Sequence, residues 1–137
     1  MRERGLMIHG NISVISIPVR DQEASKAFYM DKLNFELVSD MSLGGGTRWI
    51  TLRPVGSGAA IALVTWFKEM KPGSLRGLVL SVESIEAAIE ELEASGVRLG
   101  LDEIQKAPWG RWISIDDPDG NSWIIQQDLL METKPES

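Results

Sequence analysis

Any chemistry in this chain must come from oxygen, nitrogen and aromatic rings, because the sequence holds no cysteine and a single histidine, His9. Thiol nucleophiles, Cys-ligated zinc, iron–sulfur clusters and disulfides are thereby excluded, as is a site built from several histidines. Ser114 has no histidine in any motif around it, so a serine-hydrolase triad is not available. Asp40 and Asp116 stand near strand ends as candidate carboxylates for acid–base work, with no partner at motif spacing. Gly44-Gly45-Gly46 precedes neither a Lys-Ser/Thr pair nor a helix, so it is not a phosphate loop. The aspartates of Asp116–Asp119 lack the spacing and closing glutamate of a calcium loop. The residues with most to offer are aromatic: Trp49 and Trp112, each set in an Arg-Trp-Ile run.

Those two tryptophans belong to an internal repeat. Arg48-Trp49-Ile50-Thr51-Leu52 reappears as Arg111-Trp112-Ile113-Ser114-Ile115, and Ile17-Pro18-Val19 as Leu80-Ser81-Val82, both at an offset of 63 residues. Two segments agreeing in register indicate a tandem duplication, with copies too long for solenoid units. Each copy reads as strand, helix, then three strands. Ile12 to Val19 is apolar on both faces, as a strand covered on both sides would be. Asp21 is the expected N-cap of the first helix, with Glu23 in its first turn and an apolar stripe at Ala24, Ala27 and Phe28. The second helix is capped by Ser84, carries Ile85, Ala88, Ile89 and Leu92 at helical spacing, and ends at Gly96. Strands are expected at Phe35–Ser39, Arg48–Arg53 and Ala60–Val64, then at Arg98–Leu101, Arg111–Asp116 and Ser122–Gln127, with Asp117-Pro118-Asp119-Gly120 as a turn.

The expected fold is α+β: two tandem βαβββ modules forming a curved, cup-shaped mixed sheet with helices on its convex side. One domain, 1–137, would comprise module 10–66, linker 67–74, module 75–127 and a polar tail, 128–137. Of the 137 residues 43% are hydrophobic and 25% charged, enough for a core without staples. A net charge of −6 argues against nucleic acid, which needs clustered Lys and Arg. The longest apolar run, Ala59 to Val64, is too short to span a bilayer, and Met1-Arg2-Glu3-Arg4 begins no secretory signal. No membrane partner and a cytoplasmic location are expected.

Val19-Arg20-Asp21, Ala27-Phe28-Tyr29 and Leu33-Asn34-Phe35, paired with Asp117-Pro118-Asp119-Gly120-Asn121, resemble the vicinal-oxygen-chelate superfamily over roughly residues 10 to 127. That group includes glyoxalases, extradiol dioxygenases, epimerases, and fosfomycin- and bleomycin-resistance proteins. The resemblance implies metal ligands, as His, Glu or Gln, on the first and last strand of each module. Carried over, these positions fall on Val14, Ala62, Gly77 and Ile124, none with a donor side chain. A one-residue slip reaches Ser13, Ile15, Ile61, Leu63, Arg76, Leu78, Trp123 and Ile125, again no coordinating cluster. No metal and no cofactor is therefore expected, and His9 reads as a surface or strand-edge residue.

If Val14 and Ile124 face the cavity, alternation adds Ile12, Ser16 and Gln126. Ile50, Leu52, Ile113 and Ile115 read as helix-facing core, which turns Trp49, Thr51, Trp112 and Ser114 into the concavity, with Trp66 at its rim. Two tryptophans and two hydroxyls at equivalent positions suit an aromatic-walled site for a small amphipathic organic molecule. The competing reading places those rings in the core or at a subunit interface. The resemblance implies, as its nearest functional model, a bleomycin-resistance-like homodimer that binds without chemistry. The alternative is a lyase, isomerase or dioxygenase-type enzyme with a relocated or non-metal site.

Overall fold

The structure, a computed structural model, describes residues 7–56 and 58–128. Beyond Asp128 the tail lies outside the described residues, as do Met1 to Arg4 and Ser57. The first module runs β1 (Val14–Pro18), α1 (Gln22–Asp31), β2 (Glu36–Gly44), β3 (Thr47–Arg53) and β4 (Ala60–Val64). The second runs β5 (Leu78–Ser81), α2 (Ile85–Ala94), β6 (Gln105–Ala107), β7 (Gly110–Asp116) and β8 (Ser122–Asp128). Each module makes its own four-stranded mixed sheet, ordered β1-β4-β3-β2 and β5-β8-β7-β6. The first strand of each pairs in parallel with the last, and the remaining neighbours are antiparallel. This is the α+β, two-module architecture expected from the repeat.

Local signals explain both helices. Asp21 accepts from the Ala24 amide at 3.0 Å, and Ser84 accepts from Ala87 at 3.1 Å, each satisfying one orphan N–H. Gly96, at φ +83°, closes α2: its amide bonds the Glu93 carbonyl while Val97 bonds Leu92, a double turn that favours a residue without Cβ.

Three expectations need correction, the first being that β1 is covered on both sides: it is an edge strand, with Val14 and Ile15 exposed. The buried stripe of α1 is Gln22, Ser25 and Tyr29, not Ala24 and Ala27, which are exposed. Polar side chains turn inward because partners wait there: Gln22 Nε2 donates to the Arg48 and Leu63 carbonyls, both at 2.7 Å, and its Oε1 accepts from the Arg48 amide. The helix thus satisfies backbone groups of β3 and β4, a requirement that hydrophobic periodicity does not register. Arg98–Leu101 is not a strand either. It touches β7 through one bridge, Leu99 to Ile115, and the edge strand is Gln105–Ala107.

Alternation along the strands sends Ile17, Ile50, Leu52, Ile61, Leu63, Ile113, Ile115, Trp123 and Ile125 toward the helices, where both modules contribute to one core. The opposite faces of the sheets carry Trp49, Thr51 and Ala62 in the first module, and Trp112, Ser114 and Ile124 in the second.

Candidate functional site

The open face of the first sheet is built row by row from strand register. Ser16 pairs with Ala62, Ala62 with Thr51, and Thr51 with Ser39, so four small side chains lie side by side across β1, β4, β3 and β2. Small residues there leave room above the sheet. Ala62 and Thr51 are buried, and the Thr51 hydroxyl shares a 2.7 Å hydrogen bond with Ser39. Beside this row lies a cavity of about 660 Å³, walled by Trp49, Val38, Ile12, Val14 and Ala60, with Asn11, Ser39, Thr51 and Arg53 as polar members. Mostly apolar walls with a few oriented polar groups are the usual makeup of a small-molecule site.

Trp49 does not stand alone. Its ring centroid is 6.4 Å from that of Trp66, tilted by 33°, and Trp66 in turn packs at 6.0 Å on Phe67. The chain leaving β4 thus folds an aromatic pair onto the end of the Trp49 wall. Val14, Trp49 and Thr51 are brought together at this cavity; Ser16, Ala62 and Trp66 adjoin it without lining it.

The remaining candidates belong to the second module. Trp112 pairs with Gln126 and Gln105, and Ser114 with Ile124, on the face of β7 and β8 turned from α2. Gln126 Nε2 donates to Asp128 at 2.6 Å. Gly77 borders a second cavity, of about 510 Å³, between β1 and β5, together with Ile15, Phe35, Val79 and Trp123. Trp112 is not among the residues lining the Trp49 cavity.

Register also relates two of the four superfamily positions. Ala62 faces Thr51 and Ile124 faces Ser114, so Ala62 and Ile124 are equivalent across the repeat. Among the described residues no three His, Cys, Asp or Glu side chains come together as a metal site would require. The candidate carboxylate Asp40 is committed elsewhere: it accepts from Arg48 at 2.6 and 3.1 Å and from Lys26 at 2.7 Å. These hydrogen bonds, Arg48's first, hold its carboxyl down to about 2. Asp116 is exposed and borders a third pocket, beside Phe28, Lys32 and Val97.

The turn Asp117–Gly120 with Asn121 is a junction rather than a ligand loop. Asp117 Oδ1 accepts from the amides of Asp119, Gly120 and Asn121, while its Oδ2 accepts from Tyr29 and from Asn121 Nδ2. Asn121 also donates to the Pro18 carbonyl and accepts from the Leu75 amide, and Asp119 takes Arg20 and Ser25. First module, linker and second module meet at these five residues.

Several lining residues were not anticipated from the sequence, among them Asn11, Ser39, Ala60, Val38 and Arg53. Arg53 shares the parity of Trp49 and Thr51, a signal that was present; Val38 reaches the cavity only through a register shift between Leu37 and Ser39.

Comparison with known proteins agrees with this fold. The family model described as the Glyoxalase/Bleomycin resistance protein/Dioxygenase superfamily matches residues 11–125. The crystal structure of TnmS3, an antibiotic binding protein from Streptomyces sp. CB03234, is 38% identical, covers 89% of this chain and 98% of its own, and superposes with a TM-score of 0.82. A glyoxalase/bleomycin resistance protein from the same organism is 38% identical over 85% of this chain and all of its own, with a TM-score of 0.76. The Bacillus subtilis (strain 168) protein YetH is 29% identical over 119 residues, 85% of this chain and 97% of its own. Among the described residues no helix is long and apolar enough to cross a membrane.

Proposed function

This chain belongs to the Glyoxalase/Bleomycin resistance protein/Dioxygenase superfamily, and we propose that it serves there as a metal-independent binder of a small amphipathic organic molecule. The observation that carries this reading is the coincidence of donor-free ligand positions in both modules with a ring-walled cavity in the first. The positions at which the resemblance would put metal ligands hold Val14, Ala62, Gly77 and Ile124, while a cavity of about 660 Å³ opens beside Trp49. Apolar walls take the body of a ligand; Asn11, Ser39, Thr51 and Arg53 orient it. A relative 38% identical is described as antibiotic binding, which supports the same class of activity here. No step of acid–base chemistry is assigned, since Asp40 is already paired to two cations.

The same proposal includes a homodimer. Both β1 and β5 are edge strands, and Ile12, Val14, Ile15 and Val79 on or beside them are exposed. A second copy laid along these edges would cover that surface. A partner's second module facing Trp49 would also complete the aromatic walls with Trp112, the arrangement the repeat leads one to expect.

Tryptophan fluorescence titrated with a library of aromatic small molecules tests the binding. Saturable quenching in the wild type, lost in Trp49→Ala while the thermal midpoint is largely kept, is the expected result. Stacking on such a ring contributes about 0.5–2 kcal/mol beyond area burial. Absence of any response in the wild type, or about one equivalent of dialysis-resistant zinc, nickel, iron or manganese per chain, overturns the reading.

A further inference from the structure

Arg53 is the one charged residue among the described residues lining the Trp49 cavity. It ends β3 on the face that carries Thr51 and Trp49, two and four residues back along the strand. Other strand arginines are consumed by carboxylates: Arg48 reaches Asp40 at 2.6 Å and Arg111 reaches Glu86 at 2.6 Å. Arg53 instead approaches Glu36 through Nε at 3.7 Å, beyond hydrogen-bond distance, with both side chains about half exposed. Among the described residues its guanidinium makes no hydrogen bond. The repeat does not account for a cation there, because the equivalent position on β7 is Asp116, which borders a different pocket. Nor does overall charge, since the chain carries −6.

Resting on the binding function proposed above, we infer that the cavity selects flat aromatic molecules that bear an anionic group, with Arg53 as the specificity-determining residue. A guanidinium offers five N–H donors in a planar fork, suited to carboxylate, sulfonate or phenolate oxygens, and it repels a cation brought into the same space. Trp49 supplies the ring contact, and Ile12, Val14, Val38 and Ala60 the apolar enclosure. Ser39, Thr51 and Asn11 are uncharged, which leaves Arg53 as the lining group able to discriminate ligands by charge.

The test uses a matched pair of dyes, 1-anilinonaphthalene-8-sulfonate and N-phenyl-1-naphthylamine, which differ only by the sulfonate, with 9-aminoacridine as a flat cation. On the full chain the sulfonate is expected to bind more tightly than its uncharged partner and than the cation. Arg53→Gln weakens the sulfonate by about three- to tenfold more than the uncharged dye, and Arg53→Lys recovers part of the loss. Glu36→Gln shifts the sulfonate the other way, toward tighter binding, by releasing Arg53. Circular dichroism confirms that each variant is folded. Equal affinities of wild type for all three dyes, or equal losses of both naphthalenes in Arg53→Gln, would overturn the charge selection while leaving the binding function intact. If none of the three binds, both fall together.

Discussion

The hydroxyl of Tyr29 donates to Asp117 Oδ2 at 2.7 Å, joining a helix of the first module to the turn that precedes the last strand of the second. Both residues are buried, and Trp123 Nε1 donates to the same hydroxyl at 2.9 Å. Burial first, and the Asp117 charge next, push the Tyr29 hydroxyl far above its usual value.

Tyr29→Phe leaves the Trp123 N–H without its acceptor and removes one donor from Asp117, a loss of about 1–3 kcal/mol in chemical denaturation. The pH dependence has a definite sign. The folded-state value is raised above 10.0, so the stability tied to the protonated phenol is whole below pH 10 and is lost as pH rises beyond it. The wild type should weaken along that alkaline limb, and Tyr29→Phe should lack that component. Parallel alkaline curves for the two proteins would refute the assignment, and tyrosinate absorbance reports directly on the single tyrosine.

Asp40 behaves oppositely. Its carboxyl is held down to about 2 from 3.8, so the stability it adds is present above pH 4 and is lost as pH falls toward 2. Asp40→Asn should therefore cost about 1 kcal/mol at neutral pH, with the deficit shrinking below pH 4 and vanishing as pH falls through about 2. Acid-unfolding curves of the two proteins measure it.

Gly73, at φ +82°, sits against the junction turn: a Cβ there would come within 2.1 Å of the Asp119 carbonyl oxygen. Gly73→Ala should lower stability by about 2 kcal/mol or more, through left-handed strain and displacement of the linker from Asp119 and Gly120. An unchanged thermal midpoint would show that the linker is not held there.

Light scattering at micromolar concentration should return twice the chain mass of 15.2 kDa. Val79→Lys, a charge on the exposed edge of β5, should shift that mass toward the monomer. A monomer mass for the wild type would remove the dimer from the proposal.

What could be read from the chain was what neighbours in sequence decide. Offset of the repeat, parity along β3 and β7, the caps at Asp21 and Ser84 and the closing glycine at Gly96 all depend on contacts within a few residues or on strand alternation. They were legible for that reason. Trp123 also went correctly to the core by parity alone. The inward turn of Gln22, the approach of Trp66 to Trp49 and the single bridge of Leu99 were decided elsewhere, by groups 16 to 41 residues away. The same holds for the role of Asp117 and Asn121, which the chain shows as a turn and the fold uses to join two modules. A buried polar side chain is placed by the partner that satisfies it, and only the tertiary structure decides where that partner is.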